Sequence, residues 1–316
     1  MISPWRLARA GILGINCRNH DFISRYNDRR YYPLVDDKLQ TRLLAEKMQI
    51  GAPRLRQVIR QQHQINHVGE LLQTLDSFVL KPAKGSGGKG IWVITGRHGD
   101  RFIKASGAEV GLVDIQRHMS NTLAGVYSLA GTADVVLIED VIQCDERLQR
   151  YSHEGVPDIR IIVFQGYPVM AMLRLATHAS DGKANLHQGA VGVGLDIASG
   201  RFLNAVQYSH LLSRHPDTGM LLKDIVVDGW HDMLVLAARC FEMTRLGYIG
   251  ADMVVDRQHG PQLLELNARP GLAIQVANGF GLLPRLRHIE KLASERRLQS
   301  CEQRVDYVMS AFAASA

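Results

Sequence analysis

The pattern of apolar and polar positions along the chain predicts short helices and short strands. Apolar residues recur at helical spacing between residues 39 and 48, and the Gly-Ala-Pro stretch at 51–53 is expected to end this helix. A second helix is predicted for residues 230–245, and the charged segment from residue 283 onward also has a helical pattern. Short apolar runs bounded by turn residues predict strands at 77–81, 91–94, 134–138, 159–164, 169–175, 251–256 and 262–266.

The order of these elements indicates a mixed α+β fold. The strands are expected to pair as antiparallel hairpins instead of alternating regularly with helices, which disfavours a Rossmann-type domain. Residues 181–200 are rich in glycine, and we expect them to form a mobile or tightly turning loop.

Composition and charge exclude several classes of protein. The chain has 316 residues, of which 46% are hydrophobic and 22% charged, as in ordinary globular proteins. The net charge is +6 with no dense basic block, which suits anionic ligands and disfavours nucleic-acid binding. The 4 cysteines show no C-x-x-C spacing, which argues against a zinc site or a redox pair. Because the chain shows neither a signal-peptide pattern nor an apolar run of ~18 residues, we expect a cytoplasmic protein without a membrane span.

Lys81 ends a predicted strand immediately before a glycine-rich loop, Lys84-Gly-Ser-Gly-Gly-Lys-Gly90. Successive backbone N–H groups in such a loop can form a nest for phosphate groups, and the lysine points to the same place. The loop matches neither the P-loop pattern nor the dinucleotide-binding pattern. An ordinary surface hairpin therefore remains the alternative.

The last predicted hairpin carries Asp252, Glu265 and Asn267. Residues two apart in a strand share one face, so Glu265 and Asn267 point the same way, and a turn near residues 258–259 would bring Asp252 opposite Glu265. Three oxygen ligands on an apolar sheet face suit Mg²⁺. A solvated hairpin face is the alternative.

Two arginines and one polar loop are further candidates. Arg160 and Arg174 lie in strands predicted to face each other, where a guanidinium could bind a carboxylate or phosphate, or form an ordinary salt bridge. The loop of residues 183–189 contains Lys183, Asn185 and His187, and the histidine is expected to be structural or idle instead of acting as a general base.

Taken together, these residues resemble the ATP-grasp superfamily over about residues 34–275. The pattern is closest to that of the RimK-like α-L-glutamate ligases, within a narrower group of glutamate ligase-like proteins that is similar to ATP-grasp proteins associated with sugar transfer. The motifs that carry the resemblance, in chain order, are Asp37-Lys38, Val79-Leu-Lys81 with the loop to Gly90, the acidic-apolar stretch 139–142, Asp158-Ile-Arg160, Asn185-Leu-His187-Gln-Gly189, Gly250-Ala-Asp252 and Leu264-Glu-Leu-Asn-Ala-Arg-Pro-Gly271.

The resemblance implies an ATP-grasp fold, in which two α+β subdomains grip ATP between antiparallel sheets. It assigns residues 37–142 to the first subdomain with the glycine-rich loop and residues 143–285 to the second with the magnesium site. Residues 1–36 would form a short basic segment and residues 286–316 a helical tail. The family's separate N-terminal α/β domain would be truncated here, and the stretch 143–157 is longer than in the glutamate ligases.

The resemblance also implies a role for each matched residue. ATP phosphates would contact Lys38 and Lys81, with the loop around Gly87 and Gly88 folded over them. The remaining implied roles are the adenine hinge at Asp140 and Val141, ribose binding at Asp158, nucleotide or acyl-phosphate contacts at Lys183 and Asn185, charge neutralisation at Arg160 and Arg174, and magnesium ligation by Asp252, Glu265 and Asn267.

The implied reaction is ATP-dependent ligation of a carboxylate to an amine through an acyl phosphate. Glutamate is the expected amino-acid substrate, and the amine acceptor could be a peptide, a protein or a glycan. ATP and Mg²⁺ are the expected cofactors, with two metal ions and Mn²⁺ as an alternative metal; an oligomer is compatible with the sequence. The alternatives are an ATP-binding regulator without turnover and a nucleic-acid-binding protein, for which the sequence offers no recognition motif.

Overall fold

The computed structural model describes residues 4–85, 87–128, 131–292 and 300–313. It divides into two compact units. The small unit comprises residues 37–43 and 52–143, and the large unit comprises residues 1–36, 44–51 and 144–316. The described ranges contain no helix long and apolar enough to cross a membrane.

Helices and strands both occur in each unit. The α-helices within the described ranges are α1 (Pro4–Arg9), α2 (Ile15–Cys17), α3 (Ser24–Tyr26), α4 (Pro33–Asp36), α5 (Lys38–Lys47), α6 (Gln62–Ile65), α7 (Val68–Gln73), α8 (Leu112–Leu123), α9 (Glu146–Gln149), α10 (Trp230–Thr244), α11 (Ile274–Asn278), α12 (Leu283–Glu290) and α13 (Cys301–Ala311). The strands are β1 (Leu55–Ile59), β2 (Phe78–Pro82), β3 (Trp92–His98), β4 (Arg101–Lys104), β5 (Glu109–Val110), β6 (Val136–Glu139), β7 (Asp158–Phe164), β8 (Tyr167–Leu175), β9 (Val191–Leu195), β10 (Phe202–Gln207), β11 (His210–Leu211), β12 (Tyr248–Asp256) and β13 (Gly260–Asn267).

The small unit is built on an antiparallel sheet with the strand order β1-β6-β2-β3-β4-β5. Leu80, on the central strand β2, packs into a buried core with Ile138 of β6 and with residues of α7 and α8 such as Leu72 and Met119. Successive residues of a strand point to opposite faces, so Lys81 lies on the face away from this core. The hairpin predicted around the glycine-rich loop is confirmed, because β2 pairs with β3 in antiparallel fashion.

The large unit is built on an antiparallel sheet with the strand order β11-β10-β9-β8-β7-β12-β13. Asp252 lies opposite Glu265 on one side and Arg160 on the other. On the other side of β7, Arg174 of β8 lies opposite Asp158, which stands two residues before Arg160 on β7. Directly paired residues share a face of the sheet, so this register gathers the charged residues of β7, β8, β12 and β13 on one face.

The expectation of a loop over residues 181–200 is wrong for residues 191–195, which form β9 in the sheet. A Cβ atom on Gly192 would lie 2.6 Å from the Leu186 side chain, and one on Gly194 would lie 2.5 Å from the main-chain oxygen of Ala277. These glycines therefore allow a loop and a helix to approach the strand closely, instead of providing turn conformations. Tight turns do occur just before β9, in the short 3₁₀ helices His178–Ser180 and Leu186–Gln188.

The described part of the N-terminal segment, residues 4–36, groups with the large unit. The buried Asn27 donates from Nδ2 to the main-chain oxygen of Tyr248 (2.8 Å) and accepts from the Tyr248 N–H (2.8 Å). Phe22 is fully buried with its ring edge against Phe164, at 5.5 Å between centroids. These contacts tie the start of the chain to β12 and β7.

The predicted C-terminal tail of residues 286–316 includes the end of α12 and the whole of α13, which packs on α10. Arg304 of α13 is buried and donates from Nε to the main-chain oxygen of Gly166 (3.0 Å). Residues 293–299 and 314–316 of the tail, like residues 1–3 at the other end, lie outside the described residues.

Candidate functional site

Lys81 of the small unit forms a buried ion pair with Glu139, with 2.5 Å between Nζ and Oε2. Arg42, on α5, donates from Nε to the other carboxylate oxygen of Glu139 at 2.9 Å. One carboxylate is thus shared by two cations, all three side chains being buried.

Burial lowers the pKa of Lys81, the attraction of Glu139 opposes this, and the positive charges of Arg42 and Lys38 lower it further. For Glu139, burial acts to raise the pKa, but Lys81 and Arg42 outweigh burial and lower it. Glu139 is therefore ionised, while the three cations repel one another. An anionic group beside them would relieve this repulsion.

Lys38 links this cluster to the glycine-rich loop. It lies one helical turn before Arg42 on α5, and its Nζ donates to the main-chain oxygen of Gly85 at 2.7 Å. In the loop, Gly87 and Gly88 have positive φ angles of +62° and +75°, and among the described residues no atom beyond their chain neighbours lies within 4 Å of where their Cβ atoms would be. The backbone of these glycines is thus accessible in a conformation that other residues rarely adopt.

The end of the loop is fixed by aromatic side chains. His118 of α8 is hydrogen-bonded through Nε2 to the main-chain oxygen of Gly90 (2.9 Å) and through Nδ1 to the Tyr127 hydroxyl (3.2 Å). Its ring stacks on Trp92, with centroids 4.1 Å apart. Gly90 has a φ of +74°, and a Cβ atom there would lie 2.5 Å from the Tyr127 ring. This end of the loop can therefore move only if the aromatic cluster moves.

Asp140 and Val141, the predicted adenine hinge, follow β6 directly. The Asp140 side chain pairs with Arg56, with 2.9 Å between Nη2 and Oδ2, and the Asp140 N–H donates to the main-chain oxygen of Arg54 (3.0 Å). The side chain is thus held back on the sheet of the small unit.

The large unit has its own charged cluster around Asp252. Arg160 donates to both carboxylate oxygens of Asp252, at 2.7 Å and 2.5 Å, and Arg174 donates to one of them at 2.8 Å. Arg174 also forms a two-pronged ion pair with Asp158. The structure therefore brings together four predicted site residues, which are Asp158, Arg160, Arg174 and Asp252. The two arginines form salt bridges within the protein, which was the alternative to their binding a ligand.

The two carboxyls of this cluster respond in opposite ways to their surroundings. Burial raises the pKa of Asp158 to about 6, against the attraction of Arg174, and the negative charge of Asp252 adds to the rise. Burial also acts to raise the pKa of Asp252, but Arg174 and Arg160 outweigh it and hold the pKa at about 2. Asp252 is therefore the carboxylate that stays charged under all ordinary conditions.

Glu265 and Asn267 complete the predicted magnesium ligands on this face. Asn267 donates from Nδ2 to Asp252 at 3.2 Å, so its amide oxygen points away from that carboxylate. Mg²⁺ prefers oxygen ligands, and the carboxylate of Glu265 and the amide oxygen of Asn267 are ligands of this type. Asp252, in contrast, is occupied by two guanidinium groups. Within the described ranges, no group of three or more His, Cys, Asp and Glu side chains could hold a metal ion.

Lys183, Asn185 and His187 lie in the turns that precede β9. Lys183 is exposed and pairs with Asp181 at 2.9 Å. Asn185 accepts from the His187 N–H at 3.0 Å and so caps the short helix Leu186–Gln188. The exposed His187 lines a cavity instead, as described below.

Sequence reasoning missed Arg42 and assigned Glu139 only to the hinge. The signal for Arg42 was its spacing of four residues from Lys38 on a predicted helix, which places both on one face. Nothing local in the sequence indicates that Glu139 pairs with Lys81, because the contact depends on β6 lying beside β2.

A family model described as sugar-transfer associated ATP-grasp matches residues 17–291. The chain belongs to this family. The two antiparallel sheets, with the glycine-rich hairpin in one and the Asp252 cluster in the other, agree with the expected α+β ATP-grasp fold, whereas the RimK-like subgroup is not the one matched. No match to the chain was found among curated proteins.

Several solved structures are similar to this chain but share little sequence identity with it. D-alanyl-alanine synthetase A from Vibrio cholerae is 11% identical over 89% of this chain and 66% of its own, with a TM-score of 0.48. D-cycloserine synthetase DcsG is 13% identical over 97% of this chain and 82% of its own, with a TM-score of 0.47. The ATP-grasp ligase PsnB, solved with a minimal precursor, is 12% identical over 90% of this chain and 62% of its own, with a TM-score of 0.44. The chain thus spans less than two thirds of the synthetase A and PsnB chains.

Proposed function

We propose that the protein is an ATP-dependent carboxylate–amine ligase that forms an amide bond through an acyl phosphate, with glutamate as the carboxylate substrate. The observation that carries this proposal is the group of Lys38, Arg42 and Lys81 beside the glycine-rich loop. Burial, together with the positive charges of Arg42 and Lys38, lowers the pKa of Lys81, and a phosphate group beside the three cations would relieve their repulsion. Membership of an ATP-grasp family supports ATP as the source of that phosphate.

In the proposed reaction, a substrate carboxylate oxygen attacks the γ-phosphorus of ATP, the bond to the β,γ-bridging oxygen breaks, and ADP leaves. The amine then attacks the carbonyl carbon of the acyl phosphate and inorganic phosphate leaves. Lys38 and Lys81 would bind the phosphate oxygens, and the N–H groups near Gly87 and Gly88 would close over them. Binding and charge neutralisation dominate phosphoryl transfer, so little acid–base work falls to the side chains.

Magnesium, when bound with ATP, would neutralise part of the triphosphate charge. Glu265 and Asn267 are the residues that we propose would hold it, and Asp252 would join them only after exchanging a guanidinium for the ion. The number of metal ions and the use of Mn²⁺ stay predictions, as do Asp158 at the ribose, Lys183 and Asn185 at the nucleotide, the adenine hinge at Asp140 and Val141, and a cytoplasmic location.

One observation favours the alternative of a nucleotide-binding regulator without turnover. Arg160 and Arg174 already compensate the charge of Asp252, so this carboxylate does not require a metal. Under this alternative, the Asp252 cluster would serve only the fold of the large unit.

Phosphate release from Mg-ATP, measured with each amino acid singly and in pairs, separates the two functions. If the protein is a ligase, phosphate release should depend on glutamate. Glu265→Gln should then abolish phosphate release while ATP binding remains. Glu302→Gln, at an exposed glutamate of α13, is the matched control and should leave the rate unchanged. ATP binding without release under any pair would support the regulator, and release that depends on another amino acid would remove glutamate as the substrate.

A further inference from the structure

A cavity of about 780 Å³ opens within the large unit. Its walls come from separate stretches of the chain: the N-terminal residues 12–18, the turn at 186–190, the end of β10 and the residues around α11. This volume lies inside the range of roughly 300–1,000 Å³ that is typical of small-molecule sites. It exceeds what glutamate alone would fill.

The walls are mainly apolar, with Ile12, Leu13, Leu186, Val206 and Leu272 among them. Burying an apolar side chain in such a site favours binding. The walls therefore select a ligand with an apolar body.

The mouth of the cavity is apolar as well. Ile15, Tyr208 and Val276 line it and are 59%, 59% and 47% exposed. Large apolar side chains that stand together in solvent commonly mark a binding site.

Arg18 places a positive charge at this cavity. It is only 7% exposed, and its hydrogen-bond partners are neutral: the main-chain oxygen of Pro270 (2.8 Å) and the side-chain oxygen of Asn19 (2.9 Å and 3.1 Å). Among the described residues no carboxylate lies within ion-pair distance of it. A buried charge without a counter-charge is costly, so an anionic group on a ligand would be stabilised here.

The cavity adjoins the Asp252 cluster on the same face of the sheet. Leu186, one wall residue, packs over Gly192, which pairs with Arg174. Pro270, whose oxygen binds Arg18, packs over Gly250, which pairs with Asn267. A ligand in the cavity would therefore lie next to the residues to which we assign the chemistry.

We propose that this cavity binds the amine acceptor, and that the acceptor is an apolar amino acid or dipeptide whose carboxylate pairs with Arg18. The inference rests on the proposed ligase function, because only that reaction needs an amine beside the Asp252 cluster. Of the expected acceptors, this proposal favours a small apolar peptide with a free carboxylate over a glycan or a protein.

The test is calorimetric titration of the full chain, without ATP, with leucyl-leucine, leucyl-leucinamide and seryl-serine. Leucyl-leucine should bind, and the amide should bind at least about tenfold more weakly because it lacks the charge that meets Arg18. Seryl-serine should also bind at least about tenfold more weakly, because it lacks the apolar side chains. Equal binding of all three peptides, or no binding of leucyl-leucine at millimolar concentration, would overturn the proposal.

Two variants locate the binding. Arg18→Gln should weaken the binding of leucyl-leucine by about tenfold and leave the affinity for leucyl-leucinamide unchanged. A general loss of structure would weaken the binding of both peptides. Val276→Asp, at the exposed mouth, should repel the anionic dipeptide by about tenfold or more. Val113→Asp, at a valine of α8 that is 66% exposed, is the matched control and should bind like the unmodified protein; equal affinity of Val276→Asp would exclude the cavity.

Phosphate release from Mg-ATP, recorded on the same samples, keeps the two proposals apart. Glutamate-dependent release without dipeptide binding would remove the acceptor site but keep the ligase. Cavity-dependent dipeptide binding without release under any pair of substrates would keep the site as a ligand site and remove the ligase, and with it the assignment as acceptor.

Discussion

Arg160 and Asp252 face each other across two neighbouring strands, joined by hydrogen bonds of 2.7 Å and 2.5 Å. Arg174 reaches the same carboxylate from one strand further along the sheet. Asp252 therefore balances two guanidinium groups in a buried setting. A metal ion that is to be coordinated by Asp252 must first displace one of these guanidinium groups. The binding of such an ion is therefore coupled to movement of an arginine side chain.

Removing the charge of Asp252 should destabilise the protein strongly. Asp252→Asn leaves the buried Arg174 and the partly buried Arg160 short of a counter-charge. We expect the free energy of unfolding to fall by about 3 kcal/mol, as when one partner of a buried ion pair is lost. Urea unfolding measures this. Asp181→Asn, at an exposed pair with Lys183, is the control and should change stability by less than about 1 kcal/mol. Equal losses would contradict the role given to the cluster.

Lys81→Met should weaken ATP binding. The change removes a buried cation from the cluster beside the glycine-rich loop, and the loss of one charge-assisted hydrogen bond to phosphate corresponds to at least about tenfold in affinity. Titration calorimetry with Mg-ATP provides the measurement. Lys223→Met, at an exposed lysine of the large unit, should leave the affinity unchanged, and an unchanged affinity for Lys81→Met would remove Lys81 from the nucleotide site.

Gly90→Ala should be more harmful than the same change at another glycine with positive φ. Both Gly90 (+74°) and Gly99 (+63°) have the left-handed conformation, but only at Gly90 would the new methyl group meet the Tyr127 ring, at 2.5 Å. We expect Gly99→Ala to cost about 1–2 kcal/mol from backbone strain, and Gly90→Ala about 1–3 kcal/mol more from overpacking. The two variants are compared by their unfolding midpoints in urea. Similar midpoints would show that the Tyr127 ring moves aside at little energetic cost.

His118 should make the protein less stable in acid. Burial lowers its pKa, although the bond to the Gly90 oxygen opposes this. The unfolded chain therefore takes up a proton at this histidine below about pH 6.5, while the folded chain takes it up only at a lower pH. Stability that is fully present above about pH 6.5 is lost as the pH falls towards the folded pKa.

Unfolding free energies at pH 7 and pH 5 test this sign. His118→Phe should reduce the fall in stability between the two pH values, whatever its effect at pH 7. Tyr127→Phe removes a hydrogen bond to the same ring but leaves the histidine buried. The loss of stability of this variant between pH 7 and pH 5 should therefore match that of the unmodified protein. An undiminished fall in His118→Phe would assign the acid sensitivity to other groups.

The hairpins β2–β3, β7–β8 and β12–β13 could be predicted from the sequence because they depend on local pattern. Two apolar runs with a short polar turn between them predicted β12 and β13, and strand periodicity then put Asp252 opposite Glu265, as observed. The glycine-rich loop between β2 and β3 followed from the same reasoning.

Contacts between strands far apart in the chain could not be predicted in this way. The bond from Arg160 to Asp252 requires β12 to lie beside β7, and the pair of Lys81 with Glu139 requires β6 to lie beside β2. Gly192 was predicted to be in a loop because a glycine that makes room for a neighbour looks, in the sequence, like a glycine that makes a turn. The roles assigned to Lys38, Asp140, Asp158 and Lys183 remain predictions.

The carboxamide of Gln275 imitates a peptide group. Its oxygen accepts from the N–H of Leu13 (2.7 Å) and of Leu282 (2.9 Å), while its nitrogen donates to the Leu13 oxygen at 3.1 Å. One side chain thus pairs with both main-chain groups of a single residue, as an adjacent strand would. Glutamate has the same shape but no N–H to donate, so it would set a carboxylate against the Leu13 carbonyl. In chemical terms, the attachment of the N-terminal wall of the cavity is specific to an amide, and an isosteric acid cannot replace it.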